Sequence, residues 1–371
     1  MDPRNTKLAQ VLCKAVDVKK GDRVVIHSSD LEPIDLVRET LKAVLKAGAF
    51  PYVDIMGFNF ALDRASYGDL AKTFYDNASE EQLSKPSEIY KHTAEWGNKH
   101  IRITSLDNYA HLDNVDPAKI ALRSKGIHDY FRIIVDQKDW VLTYYPTQGM
   151  AQRSGMSYQE LLDFYFNACL VDYKVMEKNG RALEKLMDKA KVVRIVGDHT
   201  DLTINVEGHL AKNACGQRNI PDGEVFMAPV WDKTEGHIYY DLPFYKSGAV
   251  INGAYLEFKN GKVVNATAEV GESALLAGLE TDKGARYLGE LGLGLNYKVK
   301  KVMGNTLFDE KIGGTVHVTL GASYIDERGG APKNPNKSAI HWDMIKDMRK
   351  PGSYIEVDGK VVFKEGKWLS R

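Results

Sequence analysis

The pattern of hydrophobic and polar positions changes near the middle of the chain. In the first half, short β-branched runs alternate with stretches whose apolar residues recur at helical spacing. The run at 23–27 is followed, after Pro33, by apolar residues three and four positions apart, and Gly48 ends that stretch. Further strands are predicted at 50–55, 100–103 and 140–144. Strands that alternate with helices favour a mostly parallel sheet covered by helices.

The second half has a different pattern. Residues 158–190 are predicted to be helical, and from Val192 onward short alternating runs and glycines dominate. The pairs Asn260-Gly261 and Asp358-Gly359 each separate two alternating runs, which predicts tight hairpin turns. One more helix is predicted over 273–288. The fold class is therefore α/β plus α+β, with an N-terminal α/β domain over 1–190 and a C-terminal antiparallel β-rich domain over 191–371.

The composition indicates the class of protein and the cellular compartment in which it is expected. The 371 residues are 43% hydrophobic and 27% charged, which fits a globular protein of two domains. Fifty basic and fifty acidic side chains cancel, so no nucleic acid is expected as a partner. The first residues lack the apolar core of a signal peptide, and no stretch approaches the ~20 apolar residues of a membrane span. Three dispersed cysteines exclude a disulfide framework and favour a cytoplasmic location.

Nitrogen and oxygen donors are concentrated in the glycine-rich second half. His341 and Asp343 flank Trp342 in an alternating run. Residues two apart in a strand point to the same face, so this run would present an imidazole and a carboxylate together. The segment 199–201 has the same histidine-to-aspartate spacing but fits a turn at the end of a strand. Spacing alone therefore does not identify a metal site.

The other candidate donors are spread over three segments: Glu224, Glu290, and the group of Glu310, His317 and Tyr324. Glu224 opens an apolar strand after a Pro-Asp-Gly turn, and Glu290 stands between glycines that leave space near the backbone. His317 lies on the polar face of a predicted strand, and Tyr324 follows the glycine that ends it. Taken one at a time, each glutamate also fits an exposed charge, His317 fits a solvated or hydrogen-bonded histidine, and Tyr324 fits a tyrosine that packs at the end of a strand. His27, at the end of a first-half strand, is likewise predicted to be at the surface.

The segments 219–229, 288–292, 306–324 and 338–343 together resemble the metal-binding motifs of the thermophilic metallo-aminopeptidase family, also called the aminopeptidase T type. The likeness extends to 145–147 and 150–152 and covers essentially the whole chain in order. The resemblance implies seven site residues: Glu224, Glu290, Glu310, His317, Tyr324, His341 and Asp343. Glu310 matches an acidic position of the family, but a longer segment before His317 leaves open whether it is a ligand. A homodimer of two-domain subunits is also implied.

Mixed carboxylate and imidazole donors without cysteine suit zinc, cobalt or manganese. Several carboxylates that can bridge favour two divalent ions ~3.5–4 Å apart. The hypothesis is that a water or hydroxide held between the ions attacks the first peptide bond of a peptide substrate. One ion would also bind the free α-amino group. Glu290 is expected to bridge near the nucleophile, and Tyr324 to stabilise the oxyanion or position the water. Glu290 and Glu310 are both candidates to carry the proton to the departing amine.

Two other functions remain open from the sequence. His317, His341 and an acid would satisfy the facial triad of a mononuclear non-haem iron dioxygenase that cleaves rings. That reading leaves Glu224 and Glu290 without a role. The second is a non-catalytic peptide- or nucleotide-binding protein built on the α/β half. The strand at 23–27 is followed by no glycine-rich phosphate loop, and the expected donors are present, so both observations favour the peptidase.

Overall fold

The computed structural model describes residues 2–55, 68–246, 249–324 and 334–369. These residues form two compact units. One comprises Met1–Val171 with Gly216–Pro221, and the other comprises Asp172–Cys215 with Asp222–Arg371. The predicted combination of a parallel sheet and antiparallel sheets is confirmed. A compact unit is not by itself an independently folding domain, so the predicted division between 190 and 191 stays a prediction.

Helices and strands alternate in the first unit, and strands predominate in the second. The helices are α1 (Arg4–Ala15), α2 (Ile34–Lys46), α3 (Gly68–Asn77), α4 (Glu80–Ser84), α5 (Glu88–Trp96), α6 (Pro117–Gln137), α7 (Gln148–Ser154), α8 (Tyr158–Cys169), α9 (Tyr173–Met187), α10 (Glu272–Leu279) and α11 (Thr306–Asp309). The strands are β1 (Arg23–Ser28), β2 (Phe50–Ile55), β3 (Lys99–Ser105), β4 (Asp139–Tyr145), β5 (Val192–Gly197), β6 (Thr200–Asn205), β7 (Lys212–Ala214), β8 (Asn219–Ile220), β9 (Glu224–Met227), β10 (Thr234–Tyr240), β11 (Phe244–Lys246), β12 (Ala249–Ile251), β13 (Ala254–Lys259), β14 (Lys262–Thr267), β15 (Leu288–Gly294), β16 (Thr315–Gly321), β17 (His341–Asp347), β18 (Tyr354–Val357), β19 (Lys360–Lys364) and β20 (Lys367–Trp368). Among the described helices, none combines the length and the apolar character that crossing a membrane demands.

The first unit is built on a five-stranded parallel sheet with the order β2-β1-β3-β4-β8. Strand β1 lies between two neighbours, and its run Val24, Val25 and Ile26 is completely buried. A β-branched run suits a strand that is covered on both faces. Helix α2 ends just before Gly48, whose φ of +76° is the left-handed conformation that glycine adopts without strain.

The second unit contains an eight-stranded, a five-stranded and a two-stranded sheet, all antiparallel. The five-stranded sheet has the order β17-β16-β15-β9-β7. Both predicted hairpin turns are confirmed: φ is +49° and +77° at Asn260 and Gly261, and +50° and +76° at Asp358 and Gly359. Two consecutive positive φ values match the twist of the flanking strands.

Two predicted helices have different bounds. The stretch 158–190 is not one helix but two, because the Asp172 carboxylate accepts the backbone N–H groups of Lys174 and Val175 and caps the start of α9. The helix predicted over 273–288 ends at Leu279. The carboxylate of Asp282 accepts the N–H groups of Gly284 and Ala285 and forms a turn there. The chain then enters β15, which decides where Glu290 points.

One hydrophobic cluster of the second unit takes side chains from both the eight-stranded and the five-stranded sheet. From the five-stranded sheet, every second residue contributes: Val225, Met227, Leu291, Leu293, Val316, Val318, Leu320, Trp342 and Met344. Successive side chains of a strand point to opposite faces, so the residues between these belong to the other face of the same sheet. That other face carries the candidate donors.

Candidate metal centre

Four neighbouring strands place the candidate donors on one face of the five-stranded sheet. Pairing in the antiparallel register sets Glu224 opposite Gly294, His317 opposite Gly292, and Asp343 opposite Thr319. The five donors on these strands are Glu224, Glu290, His317, His341 and Asp343. They come from segments far apart in sequence, and the sheet brings them together because β9, β15, β16 and β17 are adjacent.

Glu290 lies between the two imidazoles. His317 Nε2 is 3.0 Å from Glu290 Oε1 and 3.3 Å from Glu224 Oε2. His341 Nε2 is 3.8 Å from Glu290 Oε2 and 3.4 Å from Asp343 Oδ1. One donor atom each from Glu224, Glu290 and His317 lie within 4.8 Å of one another, and the same holds for Glu290, His341 and Asp343. The two donor groups therefore share Glu290.

Glu224, Glu290, His317 and Asp343 are buried, contrary to the surface positions that each of them fits when taken alone, whereas His341 is exposed. Glu224 is 6% exposed, Glu290 4% and His317 0%. All seven residues of β16 are buried, so its polar face is covered as well as its apolar face. Burial disfavours a negative charge and raises the pKa of both glutamates. A buried cluster of this kind requires compensating positive charge.

The neighbouring carboxylates raise the pKa of both imidazoles. Burial by itself lowers the pKa of His317, but the hydrogen bond to Glu290 and the charge of Glu224 outweigh it and raise that pKa to about 9. Burial likewise lowers the pKa of His341, and Asp343 raises it to about 10. Burial raises the pKa of Asp343, but the charge of His341 and a hydrogen bond from Thr319 hold it below its usual value. The site is thus an array of mutually paired charges.

The donor set fits a divalent metal ion. In the part of the chain that the structure describes, three buried polar atoms of the site have no hydrogen-bond partner: Glu224 Oε2, Glu290 Oε2 and His317 Nδ1. A buried oxygen without a partner is costly, and a divalent cation between these carboxylates would satisfy Glu224 Oε2 and Glu290 Oε2. Carboxylate and imidazole ligands without thiolate suit zinc, cobalt or manganese.

Gly292 makes room for His317. A Cβ on Gly292 would collide with Nε2 and Cε1 of the His317 ring, which lies over β15 at this point. The glycines around Glu290 were predicted to let a ligand approach the backbone. At Gly292 the structure gives a different reason: the missing side chain admits the imidazole of the neighbouring strand.

Tyr324 and His341 meet at the edge of the site. Their ring centroids are 4.9 Å apart, and Phe226 lies 5.5 Å from Tyr324 on another side. The Nδ1–H of His341 donates to the carbonyl of Ala322 over 2.8 Å. That hydrogen bond turns Nε2 toward Glu290 and Asp343. Tyr324 is half-exposed, so its phenol stands where the site meets solvent.

Glu310 lies outside both donor groups. It follows α11, and its Oε1 is 2.7 Å from Nζ of Lys311. The same ammonium donates to Glu224 Oε1 over 2.6 Å and lies 3.6 Å from Asp222 Oδ1. Burial by itself lowers the pKa of the Lys311 ammonium, but Glu224 and Glu310 hold it well above its usual value. The Lys311 side chain is completely buried.

Sequence reasoning missed Lys311. A single lysine that follows a glutamate is most often a solvated side chain. The only signal is its position next to Glu310, among segments that carry candidate ligands. In the segment 199–201, only His199 lies in the turn that the sequence suggested: it has φ of +47° and is exposed. Thr200 and Asp201 begin β6, and Asp201 pairs with Arg194 at 2.7 Å.

Comparisons with known proteins show the family. Residues 1–368 match the family model described as thermophilic metalloprotease (M29). Aminopeptidase T of Thermus thermophilus is 26% identical over 413 residues, which cover 98% of this chain and 98% of that protein. Aminopeptidase AmpS of Bacillus subtilis is 27% identical over 412 residues, with 95% of each chain covered.

Solved structures share the fold. Wild-type AmpT from Thermus thermophilus matches with a TM-score of 0.82 and 23% identity, over 99% of both chains. A 2,5-dihydroxypyridine dioxygenase from Pseudomonas putida KT2440 matches with a TM-score of 0.60 and 13% identity, over 99% of this chain and 97% of that one. The predicted resemblance and the predicted enzyme class, a metallo-aminopeptidase, are confirmed by the family and by these relatives. The chain belongs to the thermophilic metalloprotease (M29) family.

Proposed function

We propose that this protein is an aminopeptidase that releases N-terminal amino acids from peptides at a dinuclear metal centre. The observation that carries the proposal is the position of Glu290, which belongs to both donor groups and faces both imidazoles. A carboxylate shared by two groups of ligands is suited to a pair of neighbouring divalent ions. The family and the named aminopeptidases support the same reaction.

Each residue of the site has a proposed role. Glu224 and His317 would hold one ion, His341 and Asp343 would hold the other, and Glu290 would contribute to both. When bound, zinc, cobalt or manganese ions would polarise the carbonyl of the substrate, bind the α-amino group of the substrate, and lower the pKa of the water that acts as the nucleophile. Glu310 stands behind the ligands, because the Lys311 ammonium holds its Oε1.

Two kinds of side chain take part in the reaction: a carboxylate that transfers a proton and a phenol that stabilises negative charge. Burial raises the pKa of both Glu290 and Glu310, so either carboxylate can hold the proton that the departing amine takes when the C–N bond breaks. Tyr324 stands beside His341 and can donate its phenol O–H to the carbonyl oxygen as negative charge develops there.

The proposal includes a homodimer that acts on peptides in the cytoplasm. The homodimer follows from the family resemblance, and the location from the few, dispersed cysteines. Light scattering after size-exclusion chromatography tests the homodimer: a mass of twice the 41.5 kDa of one chain is expected. A mass of one chain would contradict it.

Metal removal tests the reaction. The protein is stripped with a chelator, the metal content is measured, and hydrolysis of leucine and arginine anilides is followed. Activity should disappear with the metal and return when zinc, cobalt or manganese is added back. Full activity after verified removal would disprove the metal mechanism.

The ring-cleaving dioxygenase remains the second candidate, since the fold is shared with such an enzyme. A site for one iron needs only three of the donors, whereas Glu224 and Glu290 are both buried among them. One iron per chain together with oxygen uptake on a dihydroxypyridine would favour that candidate over the peptidase.

A further inference from the structure

A fixed positive charge lies beside one of the two donor groups. The Lys311 ammonium holds Glu224 Oε1 at 2.6 Å and Glu310 Oε1 at 2.7 Å, and Asp222 Oδ1 lies 3.6 Å away. Three carboxylates surround it and its side chain is completely buried. An ammonium so enclosed does not reach a substrate. It can act on the site through the carboxylates that it holds and through its charge.

Glu224 divides its two oxygens between Lys311 and the donor group. Oε1 accepts the hydrogen bond from the ammonium, and Oε2 faces His317 Nε2 at 3.3 Å. Glu224 therefore enters its donor group with a single oxygen, and the ammonium on the other oxygen draws away part of its negative charge. A cation that binds next to Glu224 must also tolerate the nearby positive charge.

The other donor group has no such neighbour. In the described ranges, Asp343 and Glu290 pair with imidazoles alone, and Asp343 accepts its further hydrogen bond from the neutral hydroxyl of Thr319. Neutral imidazoles are metal ligands, whereas an ammonium is not. The two donor groups thus differ in having or lacking an ammonium neighbour, although their ligand types are alike.

We propose that Lys311 makes the two metal positions unequal, so that the position at Glu290, His341 and Asp343 binds its ion tightly and the position at Glu224, Glu290 and His317 exchanges its ion. The inference rests on the proposed dinuclear function. It predicts one retained ion per chain after dialysis at low metal concentration and a second ion only at higher concentration.

The test counts ions in the full-length protein with Zn²⁺ or Co²⁺ as the probe. Equilibrium dialysis with elemental analysis gives two dissociation constants, and anomalous scattering from crystals at limiting metal gives the occupancy of each position. Lys311→Met removes the charge and keeps the length of the side chain. The weaker position should tighten on the order of 10- to 100-fold in this variant, the range in which residues behind the ligands alter metal affinity.

A matched control is available on β17. Lys346 is also completely buried and pairs with Asp241 at 3.2 Å, away from the donors. Lys346→Met should leave the ratio of the two dissociation constants unchanged, and so should Lys311→Arg, which keeps the charge. If Lys311→Met does not fold, Lys311→Gln replaces it, and the occupancies in the wild-type crystals still decide which position is stronger.

The outcomes separate this inference from the proposed function. Equal affinities in the wild type, a ratio unchanged by loss of the Lys311 charge, or a first ion found at Glu224 would overturn the role of Lys311 and leave the peptidase intact. A wild-type protein that retains one ion at low metal concentration and takes up the second only at higher concentration, with both ions retained in Lys311→Met, supports the inference. A protein that binds no divalent ion would overturn the proposed function and this inference together.

Discussion

The chemistry of this site is decided at single atoms. Glu290 faces His317 through Oε1 and His341 through Oε2, so each of its oxygens belongs to a different donor group. Glu224 is divided in the same way, with one oxygen on Lys311 and the other toward His317. A carboxylate has two acceptor oxygens, and this site uses both on each of these glutamates. Substitutions that keep the shape and remove the charge therefore test the roles directly.

Glu290→Gln should abolish turnover without unfolding the protein. The amide keeps the size of the side chain but cannot bridge two cations, so we expect kcat/KM to fall by roughly 100-fold or more, with loss of bound metal. Steady-state kinetics, metal analysis and circular dichroism measure the three quantities. Glu257→Gln, on an exposed position of β13, is the control and should retain activity. Normal turnover in Glu290→Gln would remove Glu290 from the mechanism.

The two histidine-to-aspartate segments of equal spacing provide a paired test. His341→Ala should lose metal and activity, because Nε2 lies at 3.4 Å from Asp343 within a donor group. His199→Ala, in an exposed turn, should change neither. Activity assays and metal analysis on both variants make the comparison. Equal effects of the two substitutions would contradict the site.

At the scale of elements, the site depends on the register between β15 and β16. The pairing of Gly292 with His317 places a ring over a residue that has no side chain, and the alternation along both strands sends leucine and valine to the core and the donors to the opposite face. A register shift of one residue would exchange the two faces. The glycines of β15 are thus part of the metal site, although none of them donates to metal.

Gly292→Ala should displace the His317 ring. The added methyl group collides with Nε2 and Cε1, and the buried strand leaves little room to relax, so we expect a loss of roughly 1–3 kcal/mol in unfolding free energy and weaker metal retention. Urea denaturation and metal analysis measure the two effects. Gly197→Ala, in β5, is the control: its methyl group would lie 3.1 Å from the hydroxyl of Ser353 and 3.6 Å from Cε of Lys346, without a collision like that at Gly292. Full metal retention in Gly292→Ala would refute the steric argument.

For the whole molecule, the buried polar groups outside the site limit stability in acid. His27, predicted at the surface, is buried in the parallel sheet, and its Nε2 lies 3.0 Å from His100 Nδ1. Burial, and then the charge of His27, lower the pKa of His100 from 6.5 to about 3. As the pH falls, His100 therefore takes up a proton near pH 6.5 in the unfolded chain but only near pH 3 in the folded chain. Between pH 6.5 and about 3, protonation of His100 therefore favours the unfolded chain.

The free energy of unfolding should therefore fall as the pH drops below 6.5, by up to about 1.4 kcal/mol per pH unit from His100. Urea midpoints between pH 7 and 4.5 measure this slope. His100→Asn should be less stable at neutral pH by roughly 1–3 kcal/mol, because a buried hydrogen bond is lost, but its slope should be flatter. His92→Asn, on an exposed position of α5, should keep the wild-type slope. An unchanged slope in His100→Asn would exclude His100 as the cause.

Sequence alone determined whatever depends on neighbouring residues: the strands of the first half, the two hairpin turns, the common face of His341 and Asp343, and the residue types that suit a divalent metal. The tertiary structure decided which donors meet. Glu224, Glu290, His317 and Asp343 become neighbours only through pairing between strands that are distant in sequence.

Burial was likewise settled by tertiary structure, since a polar strand face is exposed or covered according to what packs on it. This is why His317 and the glutamates are buried where their sequences also fitted a surface, and why Lys311 was missed: its partners lie across the site, and a lysine carries no local mark of the carboxylates that will surround it.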